Sequence, residues 1–70
     1  MNAKIAEKLI ELRGEMTQKY VAEKVGITTS SLSNYENGIR IPRDEIKVKI
    51  AKFYKKSIEE IFFAQQVHLK

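Results

Sequence analysis

Between residues 17 and 38 the sequence runs TQKYVAEKVGITTSSLSNYENG, and the glycine inside it, Gly26, constrains the fold more than any other feature. Thr17 is a good helix N-cap, because its hydroxyl can accept from an unpaired amide of the first turn. Val21, Ala22 and Val25 then form a buried face. Gly26 can take the left-handed conformation that a sharp turn needs. Two residues later Thr28 is a second N-cap, and Leu32 and Tyr35 follow at a three-residue spacing that puts them on one side of a helix. Asn37-Gly38 stops it. The pattern predicts two short helices joined by a tight turn, with Ala22 kept small where they cross.

The rest of the chain reads as helix around this unit, since long runs of alternating apolar and polar residues are absent. A first helix is expected from about Ala3 to Arg13, with Ile5, Leu9 and Leu12 in one apolar stripe and Gly14 ending it. Pro42 marks the end of a basic loop. From about Arg43 a fourth helix follows, with Asp44 and Glu45 in its first turn and Lys55 and Lys56 in its last, both favourable to the helix dipole. Ile46, Ile50, Ala51 and Tyr54 are its expected core face. Val48 and Phe53 fall outside that stripe and predict a second apolar contact. A fifth helix opens at Ser57-Ile58-Glu59-Glu60, a capping box, and turns Ile58, Ile61 and Phe62 inward. The expected fold class is all-α: one five-helix domain over residues 1–70, with the two-helix unit at about 17–36 and a tail at 63–70.

Seventy residues allow one core, because so small a domain buries only about 60% of the surface its unfolded chain exposes. Without cysteine there is neither a disulfide framework nor a thiolate metal site, and His68 stands alone, so no metal or cofactor is expected. An enzyme is not expected either: no internal histidine and no phosphate-cradling glycine loop are present. Apolar runs stay far short of the roughly 20 residues that span a bilayer, which makes a soluble, cytoplasmic protein the expectation. Thirteen basic residues against nine acidic give a net charge of +4. That excess favours an anionic partner without identifying it, and on charge alone solubilising surface lysine is the better reading.

Two short helices joined by a glycine turn are the sequence form of a helix-turn-helix. The second helix keeps Thr29, Ser30, Ser33 and Asn34 on its outer face. Ser, Thr and Asn are poor helix formers, so such a face does little for stability, but it suits a helix that enters a groove. Here the sequence resembles the phage-repressor and Cro-like, or Xre, family. The residues that carry the resemblance are Thr17-Gln18, Val21-Ala22, Gly26-Ile27-Thr28, Glu36-Asn37-Gly38, Pro42, Ile50-Ala51 and Ser57-Ile58-Glu59-Glu60-Ile61-Phe62.

That resemblance implies a domain that binds operator DNA as a two-fold dimer, with a recognition helix from about Thr28 to Glu36 in the major groove. Thr29, Ser30, Ser33 and Asn34 resemble the family's base-reading residues. A carboxamide such as that of Asn34 can pair with adenine, and the Thr29 methyl can meet that of thymine. For the two serines, contact with phosphate or water alone is an equal reading. Gln18 resembles the family's phosphate-contacting glutamine, and Thr28, Asn37, Arg40 and Arg43 are expected to join it on the DNA backbone. Lys19 and Lys24 fit solvated surface better. The resemblance also implies a structural ion pair between Arg13 and Glu36. Tyr20 departs from the pattern, since the family carries an acidic residue there that completes a capping box with Thr17.

The chain ends soon after the fifth helix, so no ligand-sensing domain and no small-molecule ligand are expected. One recognition helix covers few base pairs, and two copies about 34 Å apart are the usual remedy. Phe63, Val67 and Leu69 continue the apolar character and are the expected homodimer seam, against the alternative that the tail folds back on its own core. The expected function is sequence-specific binding of double-stranded DNA as a transcriptional regulator, a repressor on a palindromic operator. The rival is a protein-interaction module of antitoxin or anti-repressor type on the same scaffold.

Overall fold

A computed structural model describes residues 3–63 and contains five helices, with no strand among them. α1 spans Ala3–Arg13, α2 Gln18–Val25, α3 Thr29–Glu36 and α4 Asp44–Tyr54; the fifth, α5, is a short helix of the wide π type at Glu59–Phe63. None of the described helices is long and apolar enough to cross a membrane. α1 packs on α3 and α5, while α2 packs on α3 and α4, so α3 is gripped from two sides.

Every helix contributes to one apolar core. Leu9 comes from α1, Val21, Ala22 and Val25 from α2, Leu32 and Tyr35 from α3, Ile50 and Ala51 from α4, and Ile61 and Phe62 from α5. Leu9, Leu32, Ile50 and Phe62 are essentially inaccessible to solvent. Truncating one such leucine or isoleucine to alanine costs about 2–5 kcal/mol, a large share of the stability of so small a domain.

The helix ends follow from local chemistry. Thr17, extended at φ −77° and ψ 155°, accepts a hydrogen bond from Tyr20 N at 3.0 Å, but with Tyr20 at that position the reciprocal half of a capping box is missing. The Ser57-Glu60 box is complete: Glu60 N donates to Ser57 Oγ at 3.0 Å and Ser57 N to Glu60 Oε1 at 2.8 Å. The Ser57 amide bond holds the exposed Glu60 carboxyl below the usual carboxylate range. α2 ends at Gly26, with φ +92°, where Gly26 N and Ile27 N both donate to Ala22 O, at 2.8 and 2.9 Å. No atom lies within 4 Å of where a Cβ would sit on Gly26, so the backbone angle rather than crowding requires glycine.

Three expectations change. α4 ends at Tyr54, so Lys55 and Lys56, expected in its last turn, lie beyond it, and Lys52 is the basic residue there. Val48 does not join the core: it is 38% exposed and falls outside the packed apolar cluster. Phe53 does pack on the core, with its ring edge-on to Tyr54 at 5.1 Å. The fifth helix takes π rather than α form over Glu59–Phe63. Its neighbours Ile61 and Phe62 are both buried.

α4 ends in the same kind of turn as α2 but without glycine. Lys55 has φ +59° and ψ 43°, while Lys56 N donates to Ala51 O at 3.0 Å. A left-handed residue with a Cβ costs roughly 1–2 kcal/mol, partly offset by glycine's greater freedom in the unfolded chain. Lys55→Gly is therefore expected to stabilise by about 0.5–1 kcal/mol and to raise the melting midpoint by about 3–6 °C, read by circular dichroism. A lower midpoint would mean that the lysine side chain makes a contact worth more than the strain.

Candidate nucleic-acid interface

α3 is built with two unlike sides. Leu32 and Tyr35 are buried beneath it, and Glu36 is buried with them. On the opposite side Thr29 and Ser30 are exposed, while Ser33 and Asn34 are half-buried. Among the described residues the side chains of Thr29, Ser30 and Asn34 make no hydrogen bond, and Ser33 Oγ only accepts a long one, 3.3 Å, from Asn37 Nδ2. Their donors and acceptors are thus left for solvent or a ligand. Thr28 is occupied: its hydroxyl accepts from Ser31 N at 3.0 Å, capping the helix, and donates to Ser31 Oγ at 3.0 Å.

The loop after α3 brings cations to the same region. Gly38, at φ +74°, lets the chain reverse so that Ile39 N and Arg40 N both donate to Asn34 O, at 3.0 and 3.3 Å. A groove of about 430 Å³ then lies between the starts of α3 and α4, with Thr28, Ser31, Arg40, Arg43 and one carboxylate, Glu45, at its polar side and Tyr35 and Ile46 in its apolar wall. The ion pairs among the described residues join Arg13 to Glu36 and Lys47 to Asp44, so Arg40 and Arg43 enter neither. Asn37, Arg40 and Arg43 are all exposed. On the outer side of α2 the Lys24 ammonium lies 5.5 Å from the centre of the Tyr20 ring, pairing the two residues with each other.

Under α3 lies a polar cluster. Arg13 Nε donates to Glu36 Oε2 at 2.8 Å and Arg13 Nη2 to Glu36 Oε1 at 3.0 Å, a two-pronged contact whose carboxylate side chain is only 2% exposed. The third guanidinium nitrogen, Nη1, donates to Met16 O at 2.7 Å, so Arg13 also holds the short link between α1 and α2. The bond to Glu36 raises the already high pKa of Arg13 and keeps it charged. Gln18, the first residue of α2, turns inward: its Nε2 donates to Glu36 Oε1 at 2.9 Å. Tyr54 adds a hydroxyl that is buried with no partner among the described residues.

Sequence reasoning missed the bond from Gln18 to Glu36, the idle Tyr54 hydroxyl and the Ser31 contact. The first joins residues eighteen apart on separate helices, for which no periodicity gives a signal. Ser31, three residues after an N-cap threonine, could have been found from capping geometry. Of the expected dimer seam, Phe63 is exposed and has the Lys47 ammonium 5.0 Å from its ring centre, whereas Val67 and Leu69 lie outside the described residues, as does His68.

The helix-turn-helix family model matches residues 4–61 of the chain. No curated protein and no solved structure matches it.

The Tyr54 phenol is pushed up to about 12, first by burial and then by the negative charge of Glu36, with Arg13 opposing. The folded chain therefore holds this proton more tightly than the unfolded one, so stability is full below pH 10 and declines as pH rises towards 12. An ultraviolet phenolate titration should show one of the three tyrosines ionising in that late step, together with loss of helix signal. Tyr54→Phe should delete the late step. Its persistence in that variant would place the buried phenol elsewhere.

Proposed function

The chain belongs to the Xre, or lambda-repressor-like, helix-turn-helix family of DNA-binding transcriptional regulators, and on that premise we propose that it is a sequence-specific repressor acting on a palindromic operator as a dimer. The observation that carries this reading is the polar side of α3, where the side chains of Thr29, Ser30 and Asn34 have no hydrogen-bond partner among the described residues while Leu32 and Tyr35 hold the helix from beneath. Base edges in the major groove offer the donors and acceptors that such side chains lack. Asn34 reads adenine, the Thr29 methyl meets thymine, and Ser30 and Ser33 complete the base-facing row.

Backbone contacts surround that row. Arg40 and Arg43 on the loop, with Asn37, face phosphates on one side of the recognition helix, and Gln18 and Thr28 do so at the starts of α2 and α3, Thr28 through its backbone amide because its hydroxyl is taken by Ser31. These contacts fix register and supply salt-sensitive affinity rather than sequence choice. The dimer brings two recognition helices about 34 Å apart, one DNA turn. Phe63 belongs to its seam, together with Val67 and Leu69 of the tail.

A second reading, a protein-interaction module on the same scaffold, draws on Ile39 and Ile41, which are 68% and 46% exposed in the loop after α3. Salt separates the two readings. DNA affinity should fall steeply, with a log–log slope of roughly −0.9 for each phosphate contacted, whereas an apolar protein contact should respond far less.

Selection of bound sites from random duplex DNA should recover two inverted half-sites about one helical turn apart. Asn34→Ala should erase preference at one base position in each half-site, at a cost of ~1–3 kcal/mol, and leave the other positions as they were. Arg40→Ala should weaken all sequences alike and reduce the magnitude of the salt slope by about one. An unchanged selected motif in Asn34→Ala would refute its base-reading role, and failure to bind any duplex in dilute buffer would refute the DNA reading altogether.

A further inference from the structure

We infer that the buried Glu36, held in place by Arg13, is a positioning residue for DNA affinity: it fixes the Gln18 amide by one N–H so that the other is presented, already oriented, to the DNA backbone. This rests on the proposed phosphate contact of Gln18 and adds to it the cause of that contact's strength.

The geometry is one-sided. Glu36 lies inside the fold and Gln18 lies partly exposed above it, so the bond of 2.9 Å from Nε2 to Oε1 engages the amide from its inner side. A carboxamide nitrogen carries two N–H groups, and the one left over has no partner among the described residues. It stands beside α2's first turn, where Tyr20 N is taken by the Thr17 hydroxyl and Val21 N by Thr17 O. The amides of Gln18 and Lys19 precede these and have no helical acceptor, which makes the turn a favourable place for an anion. The carboxylate holding the amide is itself immobilised by two bonds from Arg13. A free glutamine on a helix surface samples many rotamers, and freezing it on binding costs roughly two- to tenfold in affinity. In this chain that ordering is complete before DNA arrives.

The test is a double-mutant cycle on the full chain. It is read as affinity for a generic duplex of about two helical turns in dilute salt, since a phosphate contact needs no particular sequence. Gln18→Ala in the parent should weaken binding about tenfold. Replacing the pair together, Arg13→Met with Glu36→Met, removes the acceptor without leaving a lone buried charge, a change that small domains tolerate. In that background Gln18→Ala should weaken binding by only about one- to fivefold, because the amide has already lost its hold. An equal loss in both backgrounds would overturn the inference and leave the phosphate contact standing. No loss in the parent would overturn the contact and the inference with it.

Nitrogen-15 spectra of the Gln18 side-chain amide decide the matter independently of whether the double variant folds. One proton should be shifted downfield by the carboxylate in the free protein and keep that shift when the duplex is added, while its partner proton moves. Loss of the carboxylate-shifted proton on binding would show that DNA pulls Gln18 off Glu36, and the inference would fail.

Discussion

A single buried carboxylate ties the parts of this domain together. Glu36 accepts from Arg13 of α1 twice and from Gln18 of α2 once, and it is the last residue of α3. An ionised carboxylate taken out of water is costly unless fully paired, so this cluster tolerates few other arrangements of the three helices. Apolar contacts between α1, α2 and α3 are compatible with small slides and rotations; three directed hydrogen bonds to one group are not. This constraint acts with the core to fix the angle of α3 against α1 and α2.

Charge is sorted by depth. The buried acid and its arginine neutralise each other within the fold, whereas Arg40 and Arg43 remain outside every ion pair among the described residues and line the groove at the start of α3. The modest net charge of the chain understates how favourable this surface is to an anion. The polar row of α3 and the cationic loop are joined by a short path: the Asn34 carbonyl receives the amides of Ile39 and Arg40, so the helix end that carries Asn34 also fixes where the arginine loop begins.

Most of the fold was legible in the sequence because its signals are local. The glycine at 26, the threonines at 17 and 28 and the serine-glutamate box at 57 and 60 fix helix ends through contacts within three to five residues, and α2, α3 and the start of α5 fall where those signals place them. What was not legible depends on depth or distance. Val48 and Phe53 look alike in a periodic pattern, but only the final packing of α4 decides which of them is covered. The π form of α5 has no signal in the capping box that opens it. The outer row of α3 could be named from its spacing, whereas the inward turn of Gln18 could not, since a glutamine at a helix start serves solvent, phosphate or a buried acid equally well.

The independence of the two sides of α3 has a bearing on how such a protein diversifies. Thr29, Ser30 and Asn34 hold nothing in place through their side chains, so exchanging them leaves the cap at Thr28, the anchors Leu32 and Tyr35 and the Glu36 cluster intact. Substitutions there are nearly neutral for folding, within about 0.5 kcal/mol where no packing is disturbed. A duplicated copy is then able to drift towards a new target without first losing its structure, which makes the scaffold inexpensive to repurpose.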